Sequence, residues 1–172
     1  MESIFDRRST RQFTLHTATN EEIHTLLQAG MSAPSAMGKY PVSFIVLNER
    51  EQLKRVPQIH PYAAFTPEAA VAIIVCYEPG KAYPDHNPMI WAVQDASAAT
   101  MNIITAAEMI GYGSTWTGIA PNETIRTAFE KEFNIPEGVL LLERKPSKVR
   151  RLRNSIRRRY TMENGERIIL MF

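Results

Sequence analysis

The 172-residue chain is 44% hydrophobic and 22% charged, the balance of a globular domain long enough to bury a core without disulfides or metals. Its longest apolar run, Ala69 to Cys76, falls far short of the roughly 20 residues that cross a bilayer, and one cysteine, Cys76, excludes an internal disulfide framework. The net charge of +2 hides an asymmetry, because acids outnumber bases up to Val139 and the remainder is rich in arginine.

In chain order, the start up to Asp6 lacks a signal-peptide layout, so the expected compartment is the cytoplasm. Ser3 to Arg8 reads as a short helix, followed by Ser9-Thr10-Arg11-Gln12-Phe13. Thr19-Asn20-Glu21-Glu22 is a capping box, with Thr reaching forward to a free N–H and Glu reaching back. Ile23, Leu26, Leu27 and Met31 line one face of the helix that follows, which ends near Gly30 or Ser32. Ala33 to Pro41 is a loop of small residues, Val42 to Leu47 a strand, and Glu49 to Val56 a short helix. Ala69 to Tyr77 is a continuous apolar strand buried on both faces, and Cys76 within it reads as an inert core thiol.

Asn87-Pro88 marks a helix start, since Asn caps free N–H groups and Pro is tolerated at the first helical position. The helix from Met89 to Ile110 carries almost no charge. Ala96, Ala99, Thr100, Ile103, Ala107 and Ile110 form one stripe, and Ala92, Ala98 and Ala106 keep much of the rest small. A helix apolar nearly all round is buried all round. In a chain this short, that implies a subunit interface. Gly113-Ser114-Thr115-Trp116-Thr117-Gly118-Ile119 then forms a strand whose backbone can approach a flat ligand closely. Asn122 caps a helix from Glu123 to Phe133 with Ile125, Phe129 and Phe133 facing inward, and Ile135 to Val139 turns toward another strand. The interleaving of helices and strands predicts an α+β or α/β class with a sandwiched sheet.

Arg7, Arg8, Ser9 and Arg11 gather three guanidiniums and a hydroxyl in five residues, donors suited to a phosphate. Taken singly, this turn is equally a solvated basic surface, and Pro34-Ser35-Ala36 is equally an ordinary loop. In order, however, Arg-Arg-Ser-x-Arg-x-Phe, the capped helix into Ala-Pro-Ser-Ala, Gln94-Asp95-Ala96-Ser97-Ala98-Ala99 with Asn102, the Gly111 to Gly118 strand and Ile135-Pro136-Glu137-Gly138-Val139 closely resemble the nitroreductase family of FMN-dependent NAD(P)H oxidoreductases. The resemblance spans residues 2 to 139. It implies a central, mostly antiparallel sheet flanked by helices, and a homodimer sharing two FMN sites at its interface. Arg7, Arg8 and Ser9 would hold the phosphate and ribityl chain, and Arg11 would lie at the mouth. Pro34, Ser35 and Ala36 of the partner subunit would edge the isoalloxazine, with Gly38 in the same loop. Thr115, Trp116, Thr117 and Gly118 would back the ring. Flavins carry the hydride chemistry, so no catalytic side chain is expected. His16, His24, His60 and His86 are scattered, and no metal-ligand cluster is evident. The implied reaction is ping-pong transfer from NAD(P)H through flavin N5 to a nitroaromatic, quinone or enone.

Two departures stand out. Where the family loop continues as Asn, then Gln-Pro-Trp, this chain has Gly38, Tyr40, Pro41 and Val42, and Tyr40 is placed to stack over the pocket. After Val139 the family's apolar strand, Gly-Tyr-Pro turn and phosphate-completing base give way to a basic run. It contains Arg144, Lys145, Lys148, Arg150, Arg151, Arg153, Arg157, Arg158, Arg159 and Arg167 against Glu143, Glu163 and Glu166. Residues 1–139 therefore read as the FMN-binding domain and 140–172 as a basic C-terminal segment, partly disordered or the product of a shifted reading frame, in which 140–145 could still add a strand. The alternative reading is a flavin- or anion-binding protein without redox turnover, its tail holding an anionic partner. The expected partners are a second copy of the chain and a small-molecule oxidant, not a membrane or nucleic acid.

Overall fold

All seven residues of β2 (Val71–Tyr77) are buried. Successive side chains of a strand leave opposite faces, so β2 feeds two cores. Val71, Ile73, Val75 and Tyr77 pack with Ile23 and Leu26 of α2 (Asn20–Met31) and with Ala92, Ala96 and Ile103 of α4 (Pro88–Met109). Ala72, Ile74 and Cys76 pack with Leu53 and Val56 of α3 (Arg50–Ile59) and with Ile125 and Phe129 of α5 (Glu123–Glu132). The sheet is therefore sandwiched between two helix layers, as the apolar run from Ala69 implied. Burial pushes the Cys76 thiol up to about 12, so it stays protonated and unreactive at neutral pH.

The computed structural model describes residues 2–13, 17–119, 122–136, 139 and 166–171. Among them runs a four-stranded sheet in the order β1-β2-β4-β3, where β1 is Val42–Leu47, β3 is Tyr112–Thr117 and β4 is Glu166–Met171. β1 pairs antiparallel with β2, Val42 opposite Tyr77. β4 runs parallel to both neighbours, with Ile168 opposite Val71 on one side and Ser114 on the other. The α+β class holds, while the sheet is mixed: one pairing is antiparallel, and both parallel ones come from β4. Of the segment read as a basic C-terminal unit, residues 166–171 thus pair within the sheet. Residues 140–165, including the strand anticipated at 140–145 and most of the arginine run, lie outside the described residues, as does His16.

Local signals account for the helix ends. Thr19 and Glu22 close the capping box on α2: the Glu22 N–H donates to Thr19 Oγ1 at 3.3 Å, and the Thr19 N–H donates to Glu22 Oε2 at 2.7 Å. Such a cap contributes about 1 kcal/mol. The Asn122 side chain accepts from the Ile125 N–H and starts α5 in the expected way. α4 begins at Pro88, but Asn87 makes no side-chain cap; it accepts from the Ile90 N–H through its backbone carbonyl instead. α1 is only Glu2–Phe5, shorter than expected, and residues 7–13 follow without regular structure apart from a bridge at Ser9. α2, β1 and α4 meet at Gly30, where a Cβ would lie 2.6 Å from Phe44 and 2.8 Å from Ile103. Beside it, Asn102 Nδ2 donates to the Ala29 carbonyl at 3.1 Å and ties α4 to the end of α2.

Candidate functional site

After α1 the chain runs alongside β3, on the edge away from β4. Ser9 forms a parallel bridge with Ser114, and the Thr10 N–H donates to the Ser114 carbonyl at 2.9 Å. This contact carries the arginine turn to the small-residue strand, two segments a hundred residues apart. Arg8 Nη1 donates to the Phe5 and Arg7 carbonyls at 2.8 and 2.9 Å, closing the end of α1 and fixing that guanidinium. The ion pairs of the described residues involve other groups, so Arg7, Arg8 and Arg11 meet no carboxylate among them. Along β3, Ser114, Thr115 and Thr117 are buried, and Trp116 is partly exposed. Ser114 Oγ and Thr115 Oγ1 have no hydrogen-bond partner among the described residues. Arginines with no carboxylate partner among the described residues, on a segment that runs alongside a strand rich in hydroxyls, offer donors suited to an anion with further polar groups, which is the chemistry of a flavin phosphate and its ribityl chain.

Gly118 follows the last residue of β3, and its carbonyl lies 2.9 Å from His60 Nε2. His60 is 1% exposed, at the end of α3, with its ring edge-on to Tyr62 and Phe129. Sequence reading passed over this histidine as one of a scattered set. Its partner is distant along the chain, and the one local sign was its place at a helix end before Pro61.

The Pro34 to Pro41 loop is built differently. Its three-residue turn Ala36–Gly38 has Met37 at φ 51° and Gly38 at φ 64°, and Tyr40 follows at φ 48°. Two non-glycine residues in the left-handed region each carry strain of order 1 kcal/mol. Hydrogen bonds hold them there: the Tyr40 N–H donates to Ser35 Oγ at 2.7 Å and the Gly38 N–H to the Ser35 carbonyl at 3.0 Å. The Ala36 N–H donates to Asp95 Oδ1 on α4 at 3.0 Å. Asp95 is 6% exposed, and its second oxygen has no partner among the described residues. A small cavity opens beside it, lined by Met31, Pro34, Ser35, Tyr40, Asp95 and Ala99. Asp95 was not singled out from the sequence; the signal that could have found it is its charge in an otherwise neutral stretch of buried helix, which demands a donor.

This loop leads into β1, and β1 and β3 are separated by β2 and β4. Three strand spacings come to about 14 Å. One chain therefore brings the segment of Arg7, Arg8, Ser9 and Arg11 alongside the strand of Thr115, Trp116 and Thr117 with Gly118 after it, whereas the loop of Pro34, Ser35, Ala36 and Gly38 is tied to α4 and enters the sheet at β1, three strands from β3. α4 buries Ala96, Ala99, Thr100, Ile103 and Ala107 as expected, but not its whole circumference. Ile90 is 50%, Met101 45% and Met109 67% exposed. These lie on the side opposite the core, and α1 also exposes Ile4 and Phe5. No cluster of metal-ligating side chains occurs among the described residues, and no helix among them is long and apolar enough to cross a membrane.

Comparison with known proteins matches residues 4–64 and 59–142 to the Nitroreductase family. A candidate NADH dehydrogenase/NAD(P)H nitroreductase of Methanothermobacter thermautotrophicus is 40% identical over 140 residues, 81% of this chain and 71% of that protein. The crystal structure of a protein of the same description from Bacteroides thetaiotaomicron superposes with a TM-score of 0.73 at 32% identity, covering 86% of this chain and 89% of the other. The crystal structure of a candidate nitroreductase from Desulfovibrio desulfuricans in complex with FMN superposes with a TM-score of 0.58 at 27% identity, over 65% of this chain and 63% of that one.

Proposed function

The chain belongs to the nitroreductase family, and from that premise we propose that it is a cytoplasmic, homodimeric FMN-dependent oxidoreductase that uses NAD(P)H. The observation that carries this reading is the Ser9–Ser114 bridge, which sets the arginine turn against the Gly-Ser-Thr strand. The chemistry FMN supplies when bound is the transfer of reducing equivalents from NAD(P)H to a small acceptor, such as a nitroaromatic, quinone or enone, in alternating half-reactions.

The chain's own residues bind and orient. Arg7, Arg8 and Ser9 hold the phosphate by charge-assisted hydrogen bonds, with Arg8 preset by its bonds to the α1 carbonyls. Arg11 stands one residue beyond the Thr10–Ser114 hydrogen bond, at the mouth. Thr115 to Gly118 would back the ring, and backbone N–H groups around Thr117 and Gly118 would supply donors that favour negative charge on a bound flavin. Pro34, Ser35, Ala36 and Gly38 precede β1, three strands from β3 in their own sheet, and would serve the site of the second copy. The exposed apolar side of α4, with Ile90, Met101 and Met109, is the surface on which the two copies meet.

The test is spectroscopic. Purified protein reconstituted with FMN shows flavin absorbance that bleaches with NADH or NADPH and returns when a nitroaromatic or quinone is added. Colour without bleaching favours binding without turnover. Colourless protein whose DNA affinity falls steeply with salt overturns the proposal.

A further inference from the structure

His60 pairs a fully buried imidazole with the carbonyl of Gly118, the residue that follows β3. A carbonyl has no hydrogen to give, so Nε2 is the donor in the 2.9 Å contact to Gly118. In the neutral ring Nδ1 is then a bare acceptor, and no donor reaches it among the described residues. A leucine or phenylalanine would fill the space between Tyr62 and Phe129 without that unsatisfied nitrogen. The imidazole therefore contributes direction where packing alone would do without it.

Gly118 is where direction matters. Without a Cβ, the peptide planes on either side of a glycine turn more freely than at any other residue. In a trans peptide the C=O and the following N–H point opposite ways. Holding the Gly118 carbonyl toward His60 thus fixes where the Ile119 N–H points, and limits the rotation open to the Gly118 N–H. His60 reaches this peptide from a separate element, the end of α3, anchored by Val56, whose carbonyl accepts from the His60 N–H at 2.9 Å.

We propose that His60 is a positioning residue for the flavin's reactive edge: it locks the Gly118 peptide so that the backbone donors beside it are held in place for the ring. The proposal rests on the reading of Thr117 and Gly118 given under Proposed function. Its effect is greatest on the reduced ring, whose added charge fixed donors stabilise.

FMN-loaded wild type, His60→Phe and His60→Gln are compared for FMN dissociation constant and for the midpoint potential of the bound flavin. Phe keeps the ring packing and removes the donor; affinity weakens about tenfold and the potential moves to more negative values. Gln places an amide nitrogen near the position of Nε2 and brings both quantities back toward wild type. A role in packing alone lowers the melting temperature while leaving the potential unmoved. An unmoved potential in His60→Phe, or a Gln variant that behaves as Phe does, overturns the proposal. Should either variant fail to fold, 15N-histidine spectra of wild type loaded with FMN decide: the Nε2–H tautomer, with a resonance that shifts on reduction, supports the lock, and the Nδ1–H tautomer sinks it. Wild type that takes up no FMN overturns the functional reading together with this one, whereas normal uptake with indifferent variants overturns this one alone.

Discussion

The backbone N–H of Ala36 and the carboxylate of Asp95 meet at 3.0 Å across a gap of 59 positions, so a loop with strained residues hangs from the middle of α4. Asp95→Ala leaves that N–H without its acceptor and the loop without its anchor. We expect a loss of about 1–3 kcal/mol in urea unfolding. Asp95→Asn keeps an acceptor oxygen and costs less. Equal losses in the two variants would show that the charge, rather than the hydrogen bond, is what the loop needs.

Arg7→Ala and Ser9→Ala remove phosphate donors from the turn on β3. FMN titration followed by flavin fluorescence is expected to show affinity tenfold or more weaker for Arg7→Ala and a smaller loss for Ser9→Ala. Far-UV circular dichroism stays that of wild type, since the Arg7 side chain makes no hydrogen bond or ion pair among the described residues. Unchanged flavin retention in both variants would move the phosphate site elsewhere.

Met101 sits at the centre of the exposed side of α4, between Ile90 and Met109. A charge there is tolerated by a monomer and not by a desolvated interface. Met101→Glu is expected to shift sedimentation from dimer to monomer, and flavin is lost with it if the site needs both copies. A variant that sediments as wild type places the interface on another face.

Alanine ordinarily favours a helix over glycine by about 1 kcal/mol. At position 30 the added methyl would lie within 3 Å of Phe44 and of buried Ile103. Overpacking of this kind costs about 1–3 kcal/mol. Gly30→Ala is therefore expected to lower the melting temperature despite its better propensity; a rise would mean that Ile103 has room to move.

Burial raises the Cys76 thiol from 9.0 to about 12 and also raises the adjacent Tyr77 phenol. Both groups hold their protons more tightly folded than unfolded. Their contribution is intact below the unfolded values and declines as pH rises, beginning near 9 for the thiol. Melting temperature should fall between pH 8.5 and 11, and Cys76→Ala should soften that fall while lowering stability at pH 7 through the cavity it leaves. Native protein at pH 8 should resist a thiol reagent that labels it at once in denaturant.

What could be read beforehand was what neighbours in sequence decide. Thr19 and Glu22 bond to each other, Asn122 bonds three residues on, and Pro88 opens α4 because of its own ring; each needs no knowledge of the fold. The limits of β1 at Val42 and Leu47 follow from apolar content alone. The arginine turn was legible as chemistry, and α4 as a helix short of polar surface, though its residual exposed side was not. His60 and Asp95 escaped as site residues because their partners stand 58 and 59 positions away. β4 escaped for a similar reason. Glu-Arg-Ile-Ile-Leu-Met follows a stretch crowded with arginine, and its identity as a strand depends on the two ladders that receive it.

The place of β4 has a consequence for biosynthesis. β2 is complete at residue 77 and β3 at residue 117, yet the strand that joins them is translated only at 166–171. At about 5–20 residues per second, the β2 edge waits for seconds on the ribosome with its ladder open. During that interval any extended apolar segment nearby can occupy the vacancy, including the same strand of a neighbouring nascent chain. Yield in the cell should accordingly respond to chaperone supply and to growth temperature more than the stability of the finished protein would suggest.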